Sequence, residues 1–205
     1  MMARECGSLP TSLWAVDLSE KRAEEFARKG KIFLIGDITT DSVRRFLELL
    51  EIAKDHTPDD GVIVTYISSL GGDLFGGFCI YDALRACKAS TSTFGLGVCA
   101  SAALLALQGG DARLLSERAW IMLHEPISSI EGSASEIEYE ANLMRRLSDL
   151  MVRVFSGRTG LPEEKIRSMM IPKETWLSGE EALSLGFVDG LVGERGVRKA
   201  KKRRR

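Results

Sequence analysis

The sequence has 205 residues and a formal net charge of −1, from 28 lysine and arginine residues against 29 aspartate and glutamate residues. This balance hides an asymmetry. Residues 194–205 contain eight basic residues and one acidic residue, so the other 193 residues carry 20 basic and 28 acidic side chains, a charge of −8. An acidic body repels phosphates, which argues against a nucleic-acid-reading domain and leaves the basic tail as the place for a weak polyanion contact.

The composition also indicates the broad class of protein. With 44% hydrophobic and 28% charged residues, the chain is typical of one globular domain. It has no apolar run of about 18 residues, which a spanning helix needs, and its first residues lack the apolar core of a signal peptide. The four cysteines show no C-x-x-C spacing. We therefore expect a cytoplasmic protein with reduced thiols, no metal and no cofactor.

Predicted strands and helices alternate along the first two thirds of the chain. In chain order, we predict a helix over 18–28, a strand over 31–37, a helix over 42–53, a strand over 61–67, a helix over 73–87, a strand over 91–96, a helix over 100–107, a strand over 119–123 and a long helix over 134–155. This alternation predicts an α/β fold with βαβ units and a mostly parallel sheet.

The long helix carries an apolar stripe on one face. Its members are Met144, Leu147, Met151, Val154 and Phe155. The spacing fits a face that meets another copy of the chain, and it fits equally a face that packs on its own subunit.

Two features point to chemistry at the same edge of the sheet. His124, one of only two histidines, ends an apolar strand. Ser101 follows the glycine-bearing stretch 95–100 and opens an apolar helix, where it could present an exposed hydroxyl or simply cap the helix. The turn Ser69–Gly72 contains two glycines, which would allow backbone N–H groups to face a ligand as an oxyanion hole requires. His56 lies in a polar loop and is interpreted as a surface residue.

Several segments resemble the Clp protease proteolytic subunit family, the ClpP-like serine peptidases. They are KIFLIGDI, YISSLGGDLFGGFCIYDAL, GVCASAA, IMLHEP, GRTGLPEEKI and LSGEEALSLGFVDGLV, in the order found in that family. The resemblance covers residues 31–193. It implies a crotonase-like fold of repeated ββα units with a protruding handle helix, preceded by an N-terminal segment over 1–30 and followed by a disordered basic tail over 194–205.

The resemblance also implies a role for individual residues. Ser101 is the expected nucleophile, His124 the general base and Glu174 the acid of a serine triad. The backbone N–H groups of Gly71 and Ala102 are the expected oxyanion hole. The implied activity is hydrolysis of peptide bonds in unfolded or delivered polypeptides. The implied assembly is a homo-oligomer of heptameric rings stacked as a tetradecamer, which encloses the active sites and works with an AAA+ ATPase unfoldase.

The sequence departs from the family pattern in four places. Glu174 stands where the family usually has aspartate, and Leu70 replaces the proline of its SPGG turn. The interval from Ser101 to His124 is short, as in the related phage head-maturation proteases. Residues 1–30 do not resemble the segment that usually lines the axial pore.

Three other functions remain open at this level. The chain could be a catalytically silent ring subunit that acts as a scaffold. It could be a signal-peptide-peptidase-like enzyme with a Ser–Lys dyad, for which Lys88 and Lys173 are the candidates. It could also be an acyl-CoA hydratase or isomerase with the same core fold, although that function leaves the Ser101 and His124 pair unexplained.

Overall fold

The computed structural model describes residues 11–194 and 196–199. The helices in this part of the chain are α1 Thr11–Ala27, α2 Thr40–His56, α3 Leu74–Arg85, α4 Ala102–Gln108, α5 Ala134–Thr159, α6 Glu163–Met170 and α7 Gly179–Leu185. The strands are β1 Lys31–Ile35, β2 Val62–Ser69, β3 Ser90–Ala100, β4 Ala112–Ser116, β5 Trp120–Leu123, β6 Thr175–Ser178, β7 Gly190–Gly193 and β8 Gly196–Lys199. Every element predicted from the sequence has a counterpart here. None of these helices is long and apolar enough to cross a lipid bilayer.

The strands form a single mixed sheet in the order β1-β2-β3-β4-β7-β8. Strand β5 pairs with β3, and β6 pairs with β5. The pairs are parallel except for β5 with β6 and β7 with β8, which are antiparallel. The predicted α/β class with a mostly parallel sheet is therefore confirmed.

Strand β3 changes its neighbour halfway along. Its first part, up to Gly95, pairs with β4, whereas Val98 to Ala100 pair with β5. The predicted strand ended at residue 96, because its glycines suggested a turn. In the structure Gly97 lies between the two ladders and the strand continues to Ala100, a common use of glycine where a strand bends. The bend brings the end of β3 beside β5.

Helix α4 is the most completely buried element. All of its side chains from Ala102 to Gln108 are inaccessible to solvent. Burial of a leucine side chain contributes roughly 1.5–3 kcal/mol, so three leucines in seven residues fix this helix firmly. The residue that begins it is fixed with it.

The long helix α5 is divided along its length. Its C-terminal half buries Leu147, Met151 and Phe155 against the body of its own subunit. Its N-terminal half is exposed, including Ile137 and Tyr139. The predicted apolar stripe thus packs within the subunit in the C-terminal half, whereas the side chains of the first half are largely exposed.

A buried arginine in β4 connects that strand to α4, to α5 and to the loop that precedes β7. Arg113 in β4 is only 6% exposed and donates two hydrogen bonds to the carboxylate of Asp189, at 3.0 and 2.7 Å. It also donates to Gln108 at the end of α4 and to the carbonyl of Arg158 in α5. Burial acts to raise the pKa of Asp189, but the hydrogen bond and charge of Arg113 outweigh it, so that pKa lies below its ordinary value.

Two predicted boundaries differ from the structure. Helix α1 begins at Thr11, earlier than the predicted start at residue 18, and it packs on the body, with Ala27 buried and Phe26 in edge contact with Phe33. The predicted disordered tail includes β8, which pairs with β7 in a hairpin, so the prediction is wrong for Gly196–Lys199. Residues 196–199 are rich in basic charge and lack the apolar alternation that predicts a strand. They form a strand because the edge of β7 supplies hydrogen-bond partners for their backbone. Residues 200–205 lie outside the described residues.

Replacing Asp189 with asparagine removes the charge that faces Arg113. We expect the free energy of unfolding at pH 7 to fall by about 1–3 kcal/mol, because a buried guanidinium loses its charged acceptor. A folded-state pKa below the unfolded one stabilises the protein above the unfolded pKa, and this contribution disappears as pH falls through the folded pKa. The difference between wild type and D189N in urea unfolding should therefore shrink at acid pH. D149N is the control, since Asp149 pairs with Arg167 at the surface and should cost less than about 1 kcal/mol.

Candidate active site

Ser101 lies at the junction of β3 and α4 with an unusual backbone conformation. Its φ is 55° and its ψ is −124°, and it is the only residue other than glycine with positive φ in the described part of the chain. Its N–H donates to the carbonyl of Met122 in β5 at 2.9 Å, and its carbonyl accepts from Leu104. Such a conformation costs roughly 1–3 kcal/mol and persists only where its surroundings impose it, as these bonds and buried α4 do here.

The hydroxyl of Ser101 does not cap the helix that it opens. Although Ser101 occupies the N-cap position of α4, its side chain makes no capping hydrogen bond. Instead, its Oγ lies 2.7 Å from Nε2 of His124. The structure therefore brings the predicted nucleophile and base into hydrogen-bonding contact, and the capping interpretation of Ser101 is wrong.

His124 follows β5, and the pairing of β5 with β3 is what places it beside Ser101. The side chain is half-buried. Burial is the largest influence on the pKa of His124 and lowers it below the ordinary histidine value, while the negative charges of Glu174 and Glu125 oppose this shift. A neutral imidazole that accepts the Ser101 proton at Nε2 carries its own proton on Nδ1, where an acid could orient it.

Glu174 lies beside His124 without a hydrogen bond between them in the described residues. The two side chains line the same cavity of about 530 Å³, and Glu174 is exposed. Its Oε1 accepts a hydrogen bond of 3.3 Å from Nε1–H of Trp176. Glu174 therefore acts on His124 through its charge in this structure.

The turn from Ser69 to Gly72 lies against Ser101. A Cβ atom on Gly71 would lie 2.8 Å from Cβ of Ser101 and 3.2 Å from the nitrogen of Ala102, so only glycine fits. The N–H of Gly71, however, already donates to Oγ of Ser69 at 3.0 Å. The predicted donor is thus engaged within its own turn. The N–H of Ala102 is the first of α4, a position that has no partner within its helix.

Gly72 is a site residue that sequence reasoning missed. It lines a cavity of about 310 Å³ with Ser101 and His124, and its N–H has no hydrogen-bond acceptor among residues 11–194 and 196–199. Its φ is +137°, and a Cβ there would lie 2.3 Å from the carbonyl oxygen of Ile38. The adjacent glycines signalled a special turn but did not indicate which of their two N–H groups lacks an acceptor among the described residues.

The wall of this cavity is mostly apolar. Its remaining apolar residues are Leu74, Phe75, Pro126, Ile127, Met144, Leu147 and Met151. Three of them belong to α5. The apolar stripe of this helix was predicted from the sequence, but its contact with the site was not. The charged side chains on the wall are Asp73 and Glu125, and the carboxylate of Asp73 caps α3 by accepting from the N–H groups of Phe75 and Gly76.

The other sequence candidates lie elsewhere or have different partners. Lys88 is exposed beyond the end of α3, and His56 is exposed with Nδ1 2.8 Å from the carbonyl of Ile52. Lys173 lines the cavity that His124 shares with Glu174, so it is the one lysine candidate near the site. Burial raises the pKa of the Cys99 thiol to about 12, which makes it a poor nucleophile. Within the described residues no group of three or more metal-ligating side chains comes together.

The fold is that of a mixed α/β protein, and its site places a serine with a strained backbone, at the end of a parallel strand, in contact with a histidine. Comparison with known proteins gives the family. The Clp protease family model matches residues 17–195. The chain is 33% identical over 166 residues to the ATP-dependent Clp protease proteolytic subunit of Pleurastrum terricola, an alignment that covers 80% of this chain and 84% of that protein. This protein belongs to the Clp protease family, and the resemblance found in its sequence is confirmed.

The pKa of His124 can be measured directly by NMR, because the chain has only two histidines. In an H56Q variant the single remaining imidazole should titrate below about 6.5, the ordinary histidine value, because burial disfavours the imidazolium. Adding E174Q should lower this pKa further, since the carboxylate charge favours the imidazolium. A titration at or above the ordinary value in H56Q would contradict the balance of burial and charge described here.

Proposed function

We propose that this protein is a ClpP-like serine endopeptidase in which Ser101 is the nucleophile and His124 the general base. The observation that carries the proposal is the 2.7 Å contact between Oγ of Ser101 and Nε2 of His124. Membership of the Clp protease family gives the class of reaction, and the contact gives the two side chains that would perform it.

Acylation begins when a peptide carbonyl binds above Ser101. His124 takes the proton from Oγ as the oxygen attacks the carbonyl carbon, and the carbonyl oxygen becomes an oxyanion. The depressed pKa of His124 keeps the imidazole neutral near pH 7, so it is ready to accept this proton. The imidazolium then donates the proton to the nitrogen of the leaving amine, and the C–N bond breaks.

Backbone N–H groups would stabilise the oxyanion. The N–H of Ala102 follows the nucleophile directly and belongs to the first turn of α4. We place the second donor at Gly72 instead of Gly71, because the Gly71 N–H is bonded to Ser69 and Gly72 lines the cavity. One such donor typically contributes about 2.7–4 kcal/mol to transition-state stabilisation.

Deacylation repeats the same proton transfers with water as the nucleophile. His124 takes a proton from water, hydroxide attacks the acyl carbon and Oγ of Ser101 is released with the returned proton. Glu174 would favour both steps by stabilising the imidazolium, and its charge already acts on the pKa of His124 in that direction.

The substrate and the assembly are also proposals. The apolar cavity of about 310 Å³ beside Ser101 suits an apolar side chain of a polypeptide. We propose that copies of this chain form rings enclosing the active sites, with the exposed first half of α5 as a contact surface between copies. The named relative is ATP-dependent, and this sequence has no G-x-x-x-x-G-K-[ST] motif, so we assign ATP hydrolysis to a separate ATPase partner.

Substitution of Ser101 by alanine tests the nucleophile. We expect hydrolysis of a fluorogenic peptide to fall by roughly 10⁴-fold or more, and fluorophosphonate labelling to disappear, because Ser101 supplies the one hydroxyl among the described residues that line its cavity. S168A is the matched control, since its hydroxyl bonds to the carbonyl of Lys165 on the surface of α6. H124A should be equally inactive. Activity retained in H124A would favour a Ser–Lys dyad with Lys173, and turnover retained in S101A would exclude the proposal.

Native mass measurement of the labelled protein tests the assembly. We expect one label per subunit and a mass of seven or fourteen times the 22.5 kDa subunit. A labelled monomer of 22.5 kDa under all conditions would contradict the proposed ring assembly but support Ser101 as the nucleophile. Unlabelled rings would instead favour the catalytically silent scaffold.

A further inference from the structure

His124, Glu174 and Trp176 are brought together by the pairing of β5 with β6. These strands are antiparallel, with Met122 opposite Trp176 and Leu123 opposite Thr175. One further step in this register sets His124 opposite Glu174, and directly opposed residues have Cβ atoms about 4.5–5.5 Å apart. Alternate residues of a strand share a face, so Trp176 lies on the same face as Glu174 and His124. All three line one cavity.

The carboxylate of Glu174 needs something to hold it. Its side chain is exposed and has one more rotatable bond than an aspartate, so on its own it samples many rotamers. Within residues 11–194 and 196–199, the one hydrogen bond to this carboxylate comes from Nε1–H of Trp176, to Oε1. That bond engages Oε1 and leaves Oε2 without a hydrogen-bond partner in this part of the chain.

Trp176 is better fixed than the glutamate that it contacts. Its indole has only two side-chain torsions and lines the cavity with Met170 and Pro172. The preceding residue, Thr175, anchors the start of β6 by donating its hydroxyl hydrogen to the carbonyl of Met169 at 2.6 Å. The indole, although 41% exposed, has fewer torsions than the glutamate and belongs to a paired strand, so it is the more restrained partner of this hydrogen bond.

We propose that Trp176 is a positioning residue for the triad acid. Its indole N–H holds Oε1 of Glu174 so that Oε2 faces His124. A glutamate side chain is longer and more flexible than an aspartate side chain, and this hydrogen bond compensates for its extra freedom. Trp176 does not touch the reacting atoms. The inference rests on the proposed function, because it assumes that Glu174 acts on His124 during catalysis.

The direction of the pH effect follows from the charges around His124. Glu125, Lys173 and Glu174 line one cavity with the imidazole, and Asp73 lines the other. Without the indole N–H, Glu174 spends less time near the imidazole, so the imidazolium is less stabilised. The acid limb of the kcat/KM profile should therefore move to lower pH while the maximum rate falls.

The test compares W176F, which keeps an aromatic ring but lacks the N–H, with wild type in the full-length protein. We expect W176F to lower kcat on a fluorogenic peptide by about threefold to tenfold with little change in KM, and to shift the acid limb to lower pH. W120F is the matched control. Trp120 is similarly exposed on the neighbouring strand, lies opposite Ser178 and lines neither cavity. Its kcat and pH profile should match those of wild type.

A double-mutant cycle separates positioning from a general loss of structure. In an E174A background the indole has no carboxylate to hold, so E174A W176F should have the activity of E174A within twofold. An equal loss from W176F in both backgrounds would overturn the positioning role. W176F could instead keep the wild-type kcat and pH profile while E174A loses activity by about 10²-fold or more. That result would also overturn the positioning role of Trp176, but it would leave the proposed triad intact. If E174A itself retains wild-type activity, Glu174 has no role in catalysis, and the positioning role of Trp176 is excluded as well.

Discussion

The hydrogen bond from the N–H of Ser101 to the carbonyl of Met122 is the constraint on which the site depends. It adds one residue to the ladder between β3 and β5 at the point where the chain turns into α4. The turn forces Ser101 to a positive φ that a non-glycine residue rarely adopts. Completely buried α4 holds the other side of the serine, so the strain cannot relax. The result is an Oγ directed at Nε2 of His124, two residues beyond Met122.

The glycine turn after β2 follows from the same geometry. Because Ser101 lies so close to the turn, the position of Gly71 has no room for a Cβ, and Gly72 approaches the carbonyl of Ile38 too closely to carry one. The two N–H groups of this turn differ in their partners. The Gly71 N–H donates to Ser69 and stabilises the turn, whereas the Gly72 N–H has no acceptor within the described residues and belongs to a residue that lines the cavity. Close packing therefore determines where the serine lies and why both of these turn positions are glycine.

Electrostatics at the site is a balance between burial and two carboxylates. Burial alone would leave His124 a weak base, and the negative charges of Glu174 and Glu125 raise its pKa part of the way back. Glu174 is exposed and is bonded to Trp176, so its influence depends on where a mobile side chain is held. The acid is thus the least fixed member of the proposed triad, in contrast to the serine and the histidine.

The local sequence predicted most of the elements, because apolar periodicity in segments such as 42–53 and 61–67 depends only on neighbours in the chain. It did not predict β4, β6, β7 or β8, which are short strands defined mainly by their partners in the sheet. Similarly, the glycines in residues 95–100 predicted a turn, whereas pairing with β5 extends strand β3 through this stretch.

At the site, local sequence patterns were enough to identify which residues could react. A serine after a glycine-bearing strand and a histidine at the end of another are local patterns, and the family motifs gave them an order. The contacts follow from the tertiary structure alone: the 2.7 Å approach of Ser101 to His124, the position of Gly72 on the cavity wall, and the hydrogen bond between Trp176 and Glu174. The physical reason is that these contacts join residues far apart in the chain, and their distances are set by strand register and by close packing around buried α4.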